Sequence, residues 1–245
     1  MSAAGAELFA HDAYPPNALG YCGPDEAAPL LRRDAGAGAA IAAHARQFEG
    51  AWVYLELIAA AAGLDDPLDE RVVEAYWLGN DLLDSLDPDH LEGLLRERLP
   101  EQRGASWAPG FAHHGYHVFA VYPWVGLLAR TGRTSPTLDV LDNCRIRWGE
   151  VVAVEGAVVW ALVAPLVLLD GRLALGDVVE QAGAVSRGGV SLLEPAVQRV
   201  AVGNTVALHW GWVCDVLRPD QLEQLRERTT DQLGRTNAVL AAHVA

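Results

Sequence analysis

The first 140 residues show the hydrophobic spacing of helices. Residues 35–63 are rich in alanine and end in a glycine, a residue type that commonly follows the last helical turn. In residues 69–87 the apolar positions recur on one helical face, with acidic residues between them. Residues 113–130 form a further apolar segment, and residues 135–143 have the composition of a short helix. This part of the chain is therefore predicted to be helical.

From Trp148 onward, short valine-rich runs separated by turn residues replace the helical spacing. Runs of this length and composition are typical of β-strands. Asp170-Gly171 lies between two apolar runs and indicates a two-residue hairpin turn, and Gly203-Asn204 marks another turn. Residues 218–233 return to helical spacing, with a proline near the start.

The pattern as a whole predicts an α+β fold. We expect an N-terminal all-α helical domain over residues 1–140, followed over residues 141–245 by a small β-barrel domain with a trailing C-terminal helix. The apolar run at residues 157–169 is too short to span a bilayer and contains a proline, so we interpret it as a pair of buried strands.

Composition excludes some partners. The formal net charge is −14, so phosphate backbones and anionic membrane surfaces would repel the chain, and we expect it to bind neither nucleic acid nor membrane. The first residues lack the basic start and apolar run of a signal peptide. Three widely spaced cysteines fit free thiols in a reducing compartment, so we expect a cytoplasmic location.

Two motifs in the second half resemble a known family. Cys144 lies five positions before Gly149, and a valine-rich run follows. Residues 203–213 contain a glycine turn, a strand-like run and then His209. The two motifs occur in this order and are followed by a helix. With this arrangement, residues 144–235 resemble the HypC/HupF family of NiFe-hydrogenase maturation chaperones. In that family the cysteine follows the initiator methionine directly. The family also has a proline at the position where this chain has Trp148.

The resemblance implies an OB-like, HypC-like barrel and a carrier rather than an enzyme. It implies that iron is handled transiently as an Fe(CN)2CO fragment, with a HypD-like scaffold and the hydrogenase large-subunit precursor as partners. Cys144 and His209 would be the iron ligands. Thiolate suits such a soft iron centre, and the first and last strands of a small barrel can lie side by side, which would bring the two together.

The residues around these motifs have predicted roles as well. Arg145 and Arg147 flank the cysteine, where cations would lower the pKa of its thiol and attract an anionic fragment. These arginines and the nearby tryptophans are predicted to bind partners, since aromatic and arginine side chains are common in interfaces. The tryptophans are Trp148, Trp210 and Trp212.

Other interpretations remain open at this point. His113, His114 and His117 have a spacing that brings imidazoles together on one helical face, which could form a zinc or nickel site in a metal-dependent enzyme. Packing among the neighbouring aromatic residues would explain the same histidines. Cys144 could be a small buried residue, and His209 a hydrogen-bonded strand residue, in a protein that serves only as an adaptor. Cys22 is interpreted as part of a structural turn.

Overall fold

The computed structural model describes residues 3–98, 110–131, 136–193 and 200–244. Its N-terminal half is helical, as predicted. The helices are α1 (Ala3–Ala18), α2 (Ala37–Ala45), α3 (Glu49–Ala61), α4 (Glu70–Trp77), α5 (Pro88–Arg98), α6 (His114–Tyr116), α7 (Trp124–Thr131) and α8 (Thr137–Cys144). Short 3-10 turns occupy Ala28–Leu31 and Asp81–Ser85, and a π-helical turn, His117–Val121, continues directly from α6.

The alanine-rich stretch at residues 35–63 is two helices rather than one. The chain leaves α2 through tight turns, in which the amides of Gln47 and Phe48 donate to carbonyls only three residues back. Phe48 is buried and makes an edge-to-face contact with Phe9 of α1. Burying this ring sets the direction in which α3 begins, an effect that helical periodicity does not reveal.

A strand-rich region follows the helices. Its strands are β1 (Arg147–Glu155), β2 (Val158–Val163), β3 (Leu166–Leu169), β4 (Arg172–Leu175), β5 (Val179–Ala184), β6 (Ser186–Arg187), β7 (Val190–Ser191), β8 (Thr205–His209) and β9 (Trp212–Val216). Five of them pair in the closed order β1-β2-β5-β9-β8, because β8 also pairs with β1. The remaining strands form two separate hairpins, β3-β4 and β6-β7.

The turn and helix signals in this half are confirmed. Asp170 and Gly171 connect β3 to β4 with φ values of 49° and 75°, the left-handed conformation that the shortest hairpin turns require. Gly203 has a φ of 86° and lies just before β8. The C-terminal helix α9 begins at the expected proline and extends further than predicted, over Pro219–Val244.

Strand β8 separates two parts of the core. Val206 and Leu208 point into the barrel interior, where they pack with Val151 and other barrel residues. Ala207, on the opposite face, belongs to the same hydrophobic cluster as the N-terminal helices, as does Leu217. This alternation places His209, the last residue of β8, on the side of the helices. The division into domains at residue 140 stays a prediction.

None of the described helices combines the length and apolar character that crossing a bilayer requires.

Candidate metal centre

Three potential metal ligands from separate elements meet where the helices pack against β8. His114 begins α6, Cys144 ends α8 and His209 ends β8. One ligand atom from each residue lies within 4.8 Å of the other two. Cys144 reaches this point because β1 pairs with β8 and the Trp210 amide donates to the Asn143 carbonyl at 3.1 Å. The expected proximity of Cys144 and His209 is therefore present, and His114 joins them.

The hydrogen bonds of His209 leave one ring nitrogen available. Its Nδ1 lies 2.7 Å from the backbone oxygen of Asp12, and a carbonyl oxygen can only accept, so Nδ1 carries the proton. Nε2 is buried without a hydrogen-bond partner. Burial, followed by nearby His114, holds the pKa of His209 well below its usual value, against the opposite effect of nearby carbonyls. The ring is neutral, with a lone pair directed into the protein.

His114 is a second neutral imidazole with a defined orientation. Its Nε2 lies 2.8 Å from the Cys144 carbonyl oxygen and therefore donates to it, which leaves the lone pair on Nδ1. The Tyr76 hydroxyl lies 3.3 Å from that Nδ1. Burial lowers the pKa of His114 to about 4. A ring N–H that donates to a backbone carbonyl is typical of metal-binding histidines, whereas the Tyr76 hydroxyl donates to Nδ1 and would have to release it to a metal.

The thiol of Cys144 is not activated by its flanking arginines. Burial raises its pKa to about 12, and the indole of Trp210 acts weakly in the opposite direction. Arg145 donates instead to Asp142 (Nε to Oδ1, 2.9 Å), and Arg147 to Gln181 (Nη1 to Oε1, 2.7 Å). The expectation that these arginines lower the thiol pKa is therefore wrong. A bound metal cation would itself supply the charge that ionises the sulfur.

Several residues predicted to bind partners are buried inside the chain. Arg145 and Arg147 are only 3% and 5% exposed, and Trp212 is 5% exposed, with an edge-to-face contact to Tyr14. These three side chains do not offer a free surface to a partner, which corrects the sequence-based expectation. Trp148 and Trp210 are half-buried, so they retain some access to solvent.

The three histidines of residues 113–117 have different partners. The Nδ1 atom of His113 accepts from the Gly115 amide at 3.0 Å and so caps the first turn of α6. His117 Nδ1 lies 3.1 Å from the Tyr54 hydroxyl. His117 is the first residue of the π-helical turn, and such turns are often found at functional sites. Among the described residues, His114 is the member of this set that belongs to a potential ligand group.

Two cavities adjoin the candidate centre and give it routes to the outside. The smaller, of about 150 Å³, is lined by Cys144 and by Trp210, which stacks on the exposed ring of Tyr21 at 4.0 Å. The larger, of about 410 Å³, is lined by His114 and His117. Both cavities share a wall that is made of Tyr21, Cys22 and Tyr122. Cys144 is thus buried but still in contact with an open space.

Cys22 was not expected at this site. It lies between glycines of positive φ at residues 20 and 23 and contacts the same small cavity as Cys144. Its pKa is raised by burial and, to a smaller extent, by the Cys144 thiol. The sequence around Cys22 predicts a turn but does not indicate which part of the chain that turn covers.

Comparison with known proteins places the whole chain in one family. A model of a family of unknown function, DUF6390, matches residues 1–243. The chain belongs to DUF6390. No curated protein and no solved structure matches it. The DUF6390 match includes the helical region and the strand-rich region, so all three potential ligands lie within it.

Proposed function

We propose that this protein binds one transition-metal ion through Cys144, His114 and His209 and passes it on to a partner protein. The observation that supports this proposal is the convergence of one sulfur and two imidazoles, one of which has a buried ring nitrogen with no hydrogen-bond partner. Burying such a nitrogen without a partner costs free energy, which a bound metal would recover. Thiolate with imidazole suits iron, zinc or copper.

The donor set suits an open metal site rather than a closed structural one. Structural zinc sites are closed by four protein ligands, whereas this group supplies three from the described residues. The adjacent cavities leave space for ligands that arrive with the metal or from a partner. Because catalytic sites also keep a position open, it is the HypC/HupF resemblance that favours a carrier over an enzyme.

The most specific form of the proposal follows the HypC/HupF resemblance. In this form, the barrel is OB-like and HypC-like, and the cargo is the Fe(CN)2CO fragment of NiFe hydrogenases. The protein acts in the cytoplasm as a maturation chaperone, between a HypD-like scaffold and the hydrogenase large-subunit precursor. The order of the Cys144 and His209 motifs along the chain and their meeting in space support it.

Metal binding can be tested with Co(II) and the full chain. We expect one equivalent to bind, with a sulfur-to-cobalt charge-transfer band in the near ultraviolet. Cys144→Ala should abolish the band, and His209→Gln should weaken binding by at least roughly tenfold, since even indirect partners of metal ligands have effects of that size. Cys214→Ala is the matched control, because Cys214 is a buried thiol outside the ligand group. A band that survives in Cys144→Ala would refute the assignment.

The hydrogenase role needs a separate experiment. The protein should be purified together with its maturation partners and searched for the infrared bands of metal-bound cyanide and carbon monoxide. We expect these bands in the wild type and their loss in Cys144→Ala. Bands that persist in the variant would exclude Cys144 as the ligand, and partner binding without any metal would indicate an adaptor.

A further inference from the structure

The larger cavity next to His114 contains two buried nitrogen atoms that lack hydrogen-bond partners. They are Nε1 of Trp77 and Nε2 of His117. Both side chains line the cavity of about 410 Å³, and both are almost fully buried, at 3% and 2% exposure. Buried polar groups are nearly always satisfied, so two unsatisfied ones beside the same space indicate a missing ligand.

Trp77 lies against the candidate metal centre itself. The centroid of its indole ring is 4.6 Å from that of His114 and 5.9 Å from that of His209. The indole nitrogen is only ever a donor. A group that accepts its hydrogen bond therefore lies within the immediate surroundings of a metal held by these two imidazoles.

His117 provides a second donor to the same cavity. The phenol of Tyr54 is fully buried, burial raises its pKa well above the usual value, and its hydroxyl therefore keeps its proton. That hydroxyl lies 3.1 Å from His117 Nδ1, and in the tautomer in which it donates to this nitrogen the ring proton is on Nε2. A Cβ atom on Gly50 would lie 2.8 Å from this Nε2. The glycine thus keeps open the space in front of the donor.

The cavity favours a ligand that is bound to the metal. Two N–H donors call for an acceptor, yet a bare anion would be disfavoured in a cavity that Glu49 also lines. An anion coordinated to a divalent metal has its charge balanced there. The volume of about 410 Å³ is far larger than the roughly 30 Å³ of a water molecule, so it can hold more than one small ligand.

We infer that this cavity binds the non-protein ligands of the metal, and that these are small anions whose outer atoms accept hydrogen bonds from Trp77 and His117. This inference rests on the proposed metal site and specifies which ligands its cargo carries. Trp77 and His117 do not bind the metal in this arrangement. They select and orient what the metal brings with it.

The test uses the full chain loaded with Co(II) and titrated with azide. Azide binding is followed by the visible spectrum of the metal and by the infrared stretch of the azide. Trp77→Phe keeps an aromatic ring and removes the donor, and it should weaken azide binding by roughly five- to tenfold, the size expected for one hydrogen bond. The infrared band should shift, while Co(II) stoichiometry stays unchanged.

A double variant tests the second donor without leaving a new unsatisfied group. Tyr54→Phe with His117→Leu removes both members of a hydrogen-bonded pair with little change in side-chain volume, which limits the loss of stability. It should weaken azide binding to a similar extent, whereas Tyr54→Phe alone should have a smaller effect. Trp160→Phe is the control for the indole, because the Trp160 nitrogen donates to Glu155 on the barrel.

The outcomes separate this inference from the proposed function. Unchanged azide affinity and infrared frequency in the Co(II)-loaded variants would overturn the inference alone. Failure of the wild-type chain to bind Co(II) would overturn the metal site and this inference together. If Trp77→Phe does not fold, the double variant decides the question by the same two measurements.

Discussion

A backbone carbonyl of α1 decides which nitrogen of His209 is available to a metal. Asp12 lies 197 residues away in sequence, so no local pattern could reveal that its carbonyl accepts from His209 Nδ1. The position of His209 on the face opposite Val206 and Leu208 did follow from the alternation of a strand. The sequence thus predicts where the side chain points but not its tautomer, which depends on tertiary packing.

The charge expected on Cys144 was wrong for a related reason. Adjacent arginines in sequence suggest a cationic surrounding, but Cys144 ends α8 and Arg147 begins β1, so proximity along the chain does not fix how near the charges lie to the sulfur. Asp142 accepts from Arg145 and Gln181 from Arg147, so each guanidinium is held within the chain. The sequence shows two arginines near the cysteine, but it does not show which residues accept their hydrogen bonds.

Asp215 gives stability a pH dependence of its own. Burial, the largest cause, raises the pKa of Asp215 from 3.8 to about 6. Between about pH 4 and pH 6 the folded chain therefore holds a proton that the unfolded chain has released, so stability falls as pH rises through this window. Asp215→Asn removes this loss and should gain about 3 kcal/mol over wild type between pH 4 and pH 7. Urea unfolding at a series of pH values measures the difference, and parallel curves for both proteins would contradict it.

At the level of elements, the packing of β1 against β2 explains why the cysteine motif has a glycine at position 149. A Cβ atom at this position in β1 would lie 2.7 Å from a methyl group of Val163 and 2.8 Å from the Leu162 carbonyl oxygen, both on β2. The glycine therefore allows the two strands to pack closely just after Cys144. Its role in the motif is structural.

Gly149→Ala should accordingly destabilise the protein by about 1–3 kcal/mol, as overpacking does. The neighbouring atoms include backbone, so they cannot move aside easily. Gly38→Ala is the matched control, because a Cβ there meets nothing within 4 Å and alanine favours the helix α2. Thermal unfolding of both variants measures the effect, and equal midpoints would show that β1 and β2 tolerate the methyl group.

The strands that close the barrel were the hardest elements to predict. Strand β5 has the sequence Val-Glu-Gln-Ala-Gly-Ala, which lacks an alternating apolar pattern, so its composition does not predict a strand. Strand β9, Trp212–Val216, overlaps only the last two residues of the histidine motif at residues 203–213. Both are defined by their neighbours, since β5 pairs with β2 and β9 pairs with β8. Local composition carries little information about such pairing.

At the level of the whole molecule, the candidate centre lies across the predicted domain boundary. His114 precedes residue 140, while Cys144 and His209 follow it. The sequence motifs on the two sides were interpreted as separate potential sites, and only the packing of α6 against β8 joins them. The spacing of His113, His114 and His117 reveals a cluster of histidines, but it does not reveal that each of them has a different hydrogen-bond partner.

The shared core predicts that the chain unfolds as one unit. The largest hydrophobic cluster contains helical residues together with Ile146, Ala207 and Leu217 from the strand-rich half. A fragment of residues 1–140 would expose the surface that these side chains cover, so it should not fold stably. Calorimetry of the full chain should show a single transition with equal calorimetric and van't Hoff enthalpies. Two separate transitions, or a folded 1–140 fragment, would support independent domains instead.

The most direct test of the metal centre is X-ray absorption at the cobalt edge of the full chain loaded with one equivalent of Co(II). We expect one sulfur neighbour at about 2.3 Å and imidazole nitrogens at about 2.0–2.1 Å, by analogy with zinc. The sulfur neighbour should disappear in Cys144→Ala, and the imidazole scattering should decrease in His209→Gln. A first shell of oxygen atoms alone, or a sulfur neighbour that persists in Cys144→Ala, would contradict the account.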